Sequence, residues 1–350
     1  MPQANCQIAA VGPISSLIGA LLISFSPFLH NDASGQTNRE ATNAATTSQI
    51  EPESNASPFP DSVPLTELLQ GNASFRMVLG RVALDTKRYR VGQFRFKKND
   101  SVEATADKCL RTLTIALEHG EPNLVLYRSN DVERWMIEAK GNGRCKIQFT
   151  NSSLEYAITW DQPSHGLIEL TLESKGHVEK FKVLSLWHLR FEHPEVCSQH
   201  VFPMLLKIEP NWNLELLASE TESRMVDVLQ VEPTVTERAV RELMEEFTSP
   251  NAMNRDKAHR RLRSLGLAIL TPLMSADIDA MPAEQRMRIE RLMNAMRPTT
   301  DDTPNRLAAW LAGDYAVCQS IAARMEGEAK LQGMAYLQGL SGTQSASIIR

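Results

Sequence analysis
The sequence predicts an α+β protein: an antiparallel β meander, folded as a sandwich, a partial barrel or a curved sheet, followed by an all-α domain. Three observations predict it. From Phe75 to Leu184 apolar residues recur with period two in short runs, the spacing of half-buried strands. Turn residues separate the runs and no helical pattern lies between them, so neighbouring strands pair antiparallel. From Thr234 onward the apolar spacing becomes helical. A chain of 350 residues accommodates about two such domains.

The chain opens on an apolar run, Ile8 to Leu29, with no ionisable side chain. About 20 apolar residues suffice to span a bilayer as a helix. Pro13 and Ser15-Ser16 interrupt the run, leaving Leu17–Phe25 as its most apolar part, and Pro27 can end that helix. Ala33-Ser34-Gly35 supplies small residues suited to a signal-peptidase cut. Residues 1–35 therefore read as a cleaved signal peptide or an uncleaved N-terminal membrane anchor. The protein is expected to be exported, to the periplasm or outside the cell, or to be membrane-anchored facing away from the cytoplasm. Residues 36–62, rich in Ser, Thr, Asn, Ala and Pro, cannot bury a core and read as a disordered polar linker.

The β domain is expected over 70–185. Its runs are 75–80, 89–96, 110–117, 124–127, 134–139, 145–149, 154–160, 167–172 and 178–184, about nine strands. Gly141-Asn142-Gly143 joins two of them and is expected to be a hairpin turn. It opens no helix, so it is not a phosphate loop. Ser164-His165-Gly166 is likewise a turn, because adjacent residues rarely pair as nucleophile and base, and no G-x-S-x-G elbow occurs. Residues 186–233 form a bridge of short helices punctuated by Pro194, Pro203 and Pro210, with an extended piece at Trp212–Leu217.

A helical domain follows over 234–345. Thr234-x-x-Glu237 reads as a capping box ahead of Ala239, Val240, Leu243, Met244 and Phe247. Later helices start at Pro282, a favoured first position, and at Thr303-Pro304, with Asp314 capping the next and a last helix ending near Leu340. Arg255, Ala258, Leu262, Leu265 and Gly266 fall in the pattern R-x-x-A-x-x-x-L-x-x-L-G. That pattern resembles a HEAT-type helical repeat, over about 235–300. The small Ala admits a paired helix and the Gly ends its own helix. The whole layout is similar to exported bacterial proteins of unknown function. The resemblance implies helix pairs that bind other proteins, and no activity.

Net charge −5 gives no global attraction to nucleic acid. The basic run Arg255–Arg263, with Arg286, Arg288 and Arg291, is interspersed with Asp256, Asp277, Asp279, Glu284 and Glu290. A solvated helix face or an acidic protein partner is expected there, and no nucleic-acid partner. Glu245-Glu246 point in different directions on a helix and are no acid/base pair. After Cys6, the cysteines 109, 145, 197 and 318 remain, and export permits disulfides. These four are too few for a disulfide scaffold and read equally as buried thiols; Cys109 with Cys145, both on expected strands, is the favoured pairing if a bridge forms.

One segment carries candidate metal ligands: His188, His193, Cys197 and His200. On a helix the last three would share a face, and zinc needs three or four such groups converging. Pro194 interrupts them and neither HExxH nor CxxC is present, so a structural helix is the expectation. No catalytic residue, cofactor or metal is assigned. The function expected is a non-enzymatic module binding a protein partner at the cell envelope, with the membrane as a further partner if the leader is uncleaved. The alternative is a carrier of an apolar ligand, with Phe94, Phe96, Trp135 and Trp160 lining a pocket. A metal-dependent enzyme built on residues 188–200 is the third reading.

Overall fold
A computed structural model describes residue 69 and residues 73–86, 95–102, 109–118, 120–233 and 235–341. The leader, the linker and Phe94 lie outside them. No helix among the described residues is long and apolar enough to cross a membrane.

The chain is an α+β protein. A hairpin comes first: β1 (Ala73–Val78) and β2 (Arg81–Thr86). An eight-stranded antiparallel sheet follows, with its strands in chain order from one edge to the other. They are β3 (Arg95–Val102), β4 (Cys109–Glu118), β5 (Glu121–Ser129), β6 (Glu133–Lys140), β7 (Cys145–Asn151), β8 (Tyr156–Gln162), β9 (Ile168–Ser174) and β10 (His177–Val183). The period-two pattern sets which face is buried. On β6, Trp135, Ile137 and Ala139 face in while Arg134 and Glu138 face out. A one-residue slip would expose all three, so the alternation also sets the register. The hairpin is where observation and expectation part. Residues 75–80 read as one strand, but Leu79-Gly80 turns the chain and β2 pairs back. Of the strand expected at 89–96, residues 89–94 lie outside the described residues, and a strand runs over Arg95–Val102.

Helices then cover the sheet: α1 (Leu186–Glu192), α2 (Pro194–Val196), a π turn (Cys197–Val201), α3 (Phe202–Ile208) and α4 (Leu214–Val228). Trp212–Leu217 is thus not extended. Leu214, Ala218, Thr221 and Met225 are buried at helical spacing, and that stripe outweighs the flanking turn residues. Next come α5 (Glu237–Glu245), α6 (Ala252–Ser264), α7 (Leu270–Ser275), α8 (Ala283–Met296), α9 (Pro304–Leu311), α10 (Tyr315–Arg324) and α11 (Gly327–Ser341). The cap of α5 is Thr236, whose hydroxyl accepts from the Ala239 N–H at 3.1 Å, rather than Thr234, which lies outside the described residues. Pro282 stands one place earlier than expected, as the cap residue of α8.

Two cores form. The larger joins the inward face of the sheet to α1, α3, α4 and α9–α11. The smaller lies within α5–α8, from Val235 to Leu292, the stretch that carries the HEAT-like pattern. Gly266 follows α6 at φ +75°, a left-handed residue beyond the helix end. Arg255 and Arg288 pair with Glu284 at 2.9 and 3.1 Å, and Arg288 with Asp256 at 3.0 Å, so acidic neighbours balance the basic run.

Cys145, Cys197 and Cys318 are free and buried thiols, so the alternative Cys109–Cys145 bridge does not form. β5 and β6 separate the two strands. Three strand spacings of about 4.8 Å far exceed the reach of a disulfide.

Candidate functional site
The four candidate ligands go to separate partners. His188 is buried on α1, with Nδ1 at 2.8 Å from Ser185 Oγ and Nε2 at 3.3 Å from Asp314 Oδ2. His193 ends α1 and its ring meets Phe181 edge-on at 4.9 Å. Cys197 is fully buried, and burial pushes its thiol well above the ordinary range. His200 Nδ1 lies 3.1 Å from the Tyr156 hydroxyl and the two rings stack. No group of three or more His, Cys, Asp or Glu able to hold a metal occurs among the described residues. The π turn is the physical reason. Its extra residue per turn rotates His200 off the face of Cys197, and Pro194 starts a separate helical turn before it.

Ser185, His188 and Asp314 have the composition of a hydrolase triad and none of its access. Their exposures are 0%, 2% and 8%. Ser185 Oγ also caps α1 by accepting from the N–H groups of Trp187 and His188. Its own hydroxyl hydrogen therefore serves Nδ1, which assigns the ring hydrogen to Nε2, facing Asp314. That contact is within ion-pair distance but poorly aligned for a hydrogen bond. Burial opposes the Asp314 charge. His188 and the N–H groups of Val317 and Ala316 outweigh it and hold its pKa below the usual value. The network ties α1 to the cap of α10.

The β1–β2 turn forms a second polar junction. Leu79 (φ +51°) and Gly80 (φ +63°) are both left-handed, the geometry of a type I′ hairpin. Their N–H groups both donate to Asp302, at 2.5 and 2.7 Å, and Trp187 Nε1 donates to the same carboxylate at 2.8 Å. Burial lifts the Asp302 pKa to about 6 against those three donors and Arg306. A Cβ on Gly80 would stand 2.6 Å from the Trp187 ring, so space as well as φ requires glycine. β2 pairs with no strand of the large sheet. The buried Gln162 side chain links them instead, accepting from Val82 N–H at 2.9 Å and donating to Val82 O at 2.8 Å and Gly143 O at 2.6 Å.

Beside this turn lies a cavity of about 60 Å³. Leu270, Met274, Ile278 and Met293 supply apolar walls, and Arg81, Arg297, Asn294 and the Ser164–Gly166 turn supply polar ones. Arg81 is buried and donates to the carbonyls of Gly166 (2.9 Å), Leu184 (3.1 Å) and Pro163. A wider open groove of about 480 Å³ lies across the helical layer, lined by Val240, Met244, Pro272, Met281, Tyr315 and Leu340. Trp135 and Trp160, expected as carrier-pocket walls, are packed in the larger core at 1% and 0% exposure. The side chain of Phe96 lies outside the described residues.

Fold and sites define an α+β protein with a meander sheet, a helical cover and two concave surfaces. Comparison of the chain with protein-family models, curated proteins and solved structures finds no match.

Proposed function
We propose that the protein is an exported or membrane-tethered, non-enzymatic module that binds an apolar helical segment of a protein partner at the cell envelope. The groove between α5, α7, α10 and α11 carries this reading. It is open along one side and apolar in its floor, with Val240, Met244 and Leu340 buried there. Tyr315 stands at the rim, 45% exposed. An amphipathic helix fits such a groove by laying residues at i, i+4 and i+7 into it. The apolar leader and polar linker support the envelope location. Ser185, His188 and Cys197 are buried, so the one Ser-His-Asp set offers a substrate no access, which favours binding over catalysis.

Site-specific photo-crosslinking tests the reading. A crosslinker at position 315, in cells expressing the full chain, is expected to trap one envelope protein. Ser275→Trp fills the groove from its solvent side and should abolish that adduct, while a crosslinker at Leu154, on the opposite part of the chain, should not form it. An adduct that persists in the Ser275→Trp variant, or none above the Leu154 control, rejects the proposal.

A further inference from the structure
Arg81 and Arg297 bring two cations to one small, mostly apolar cavity with no carboxylate to balance them. Arg81 is 3% exposed. Its three hydrogen-bond partners are backbone carbonyls, which solvate its N–H groups and leave its charge uncompensated. Arg297 follows α8 and is half-buried, its guanidinium beside Gly143. It makes no side-chain hydrogen bond and no ion pair among the described residues. The two lie close enough to repel: burial first, and then Arg297, lowers the Arg81 pKa to about 10. Burial lowers that of Arg297 as well. Arg190, Arg255 and Arg288, by contrast, each pair with a carboxylate. Buried charge without a counter-charge is costly, so this pair needs an anion.

We propose that the cavity is a binding site for a small organic carboxylate, whose carboxyl group sits between Arg81 and Arg297 and whose short apolar part lies on Met274, Ile278 and Met293. Guanidinium groups match a carboxylate with paired N–H donors, and Asn294 adds an amide at the same wall. The volume of about 60 Å³ holds several heavy atoms and excludes a long chain. Phosphate shares the anion chemistry, but the apolar walls offer its remaining oxygens nothing to bond. This inference is independent of the groove-binding proposal, because the two sites share no lining residue.

Ligand-dependent thermal stability tests it, since a ligand that binds only the folded state raises Tm. The purified full chain is heated with acetate, butyrate, hexanoate or inorganic phosphate, all at one ionic strength. A saturable rise of several degrees is expected, largest for butyrate. Arg297→Met keeps the apolar stem and removes the charge. It should abolish the rise while its Tm without anion equals or exceeds that of the parent, because a like charge has been removed. A purely structural arginine would lower that baseline instead. Asn294→Leu should weaken butyrate binding several-fold by calorimetry, and Arg286→Met, remote from the cavity lining, should change nothing. No rise with any carboxylate, a rise retained in Arg297→Met, or an equal rise with phosphate would overturn the assignment.

Discussion
At the scale of single residues, the Leu79-Gly80 turn concentrates the constraints. Gly80→Ala meets both a left-handed φ and a ring 2.6 Å away, so a loss of about 3 kcal/mol or more is expected. Gly176→Ala has a similar φ, +79°, and open space around it, and should lose about 1 kcal/mol. Urea denaturation of the pair separates strain from collision. Asp302 makes a pH prediction. Its folded pKa of about 6 exceeds the ordinary value, so the folded state holds the proton more tightly than the unfolded one. Its contribution to stability is then fully present below about pH 4 and is lost as pH rises through 6. Measured against Asp302→Asn, which cannot titrate, the parent should lose on the order of 2 kcal/mol between pH 4 and pH 7. A difference that grows with pH would instead mean that the three N–H donors outweigh burial.

Among the elements, the hairpin β1–β2 is tied to the large sheet by the Gln162 amide and by the Arg81 guanidinium. Gln162→Leu keeps the bulk but strands the Val82 N–H and two carbonyls, and should cost about 2–5 kcal/mol by chemical denaturation. The meander itself was legible, because Trp135, Ile137, Ile147, Phe149, Ile158 and Trp160 all fall on the period-two face and mark three strands without help from their neighbours. β2 was not. Leu79 gave no sign that it would turn, since a leucine at positive φ is unfavourable and is held there by Asp302, a residue more than two hundred positions away in the chain. The helix at Leu214 was missed for a related reason: the Pro210–Asn213 turn signals are local, while the packing of α4 against α9 and α10, which buries Ala218 and Met225, is not. The His/Cys cluster was found by composition, but its dispersal depends on a π turn, which has no sequence signature. Ser185, Asp302, Asp314, Arg81 and Arg297 were absent from the candidate list because each meets its neighbours only through tertiary contact. Asp314 was legible as a helix cap and not as the partner of His188.

For the whole molecule, the division into two cores predicts two levels of stability. Leu262→Ala opens a cavity in the smaller core and should cost about 2–5 kcal/mol. Amide exchange should then quicken throughout α5–α8 while β5–β9 keep their protection, because the two cores can open as separate cooperative units. Uniform acceleration over both cores would show a single unit. The binding groove and the two-arginine cavity both draw walls from α7 or its neighbours, so loosening the smaller core should weaken both sites together.

The Asp302 clamp also imposes an order on synthesis. The turn it grasps is made early in translation, and the clamp emerges 222–223 residues later. At typical elongation rates of about 5–20 residues per second, that gap is on the order of tens of seconds. Throughout it Leu79 has no reason to hold a left-handed backbone, and the first hairpin stays unset while the sheet behind it grows. The turn is therefore a late lock on an early segment, and a nascent chain halted before Asp302 should leave β1–β2 open to protease.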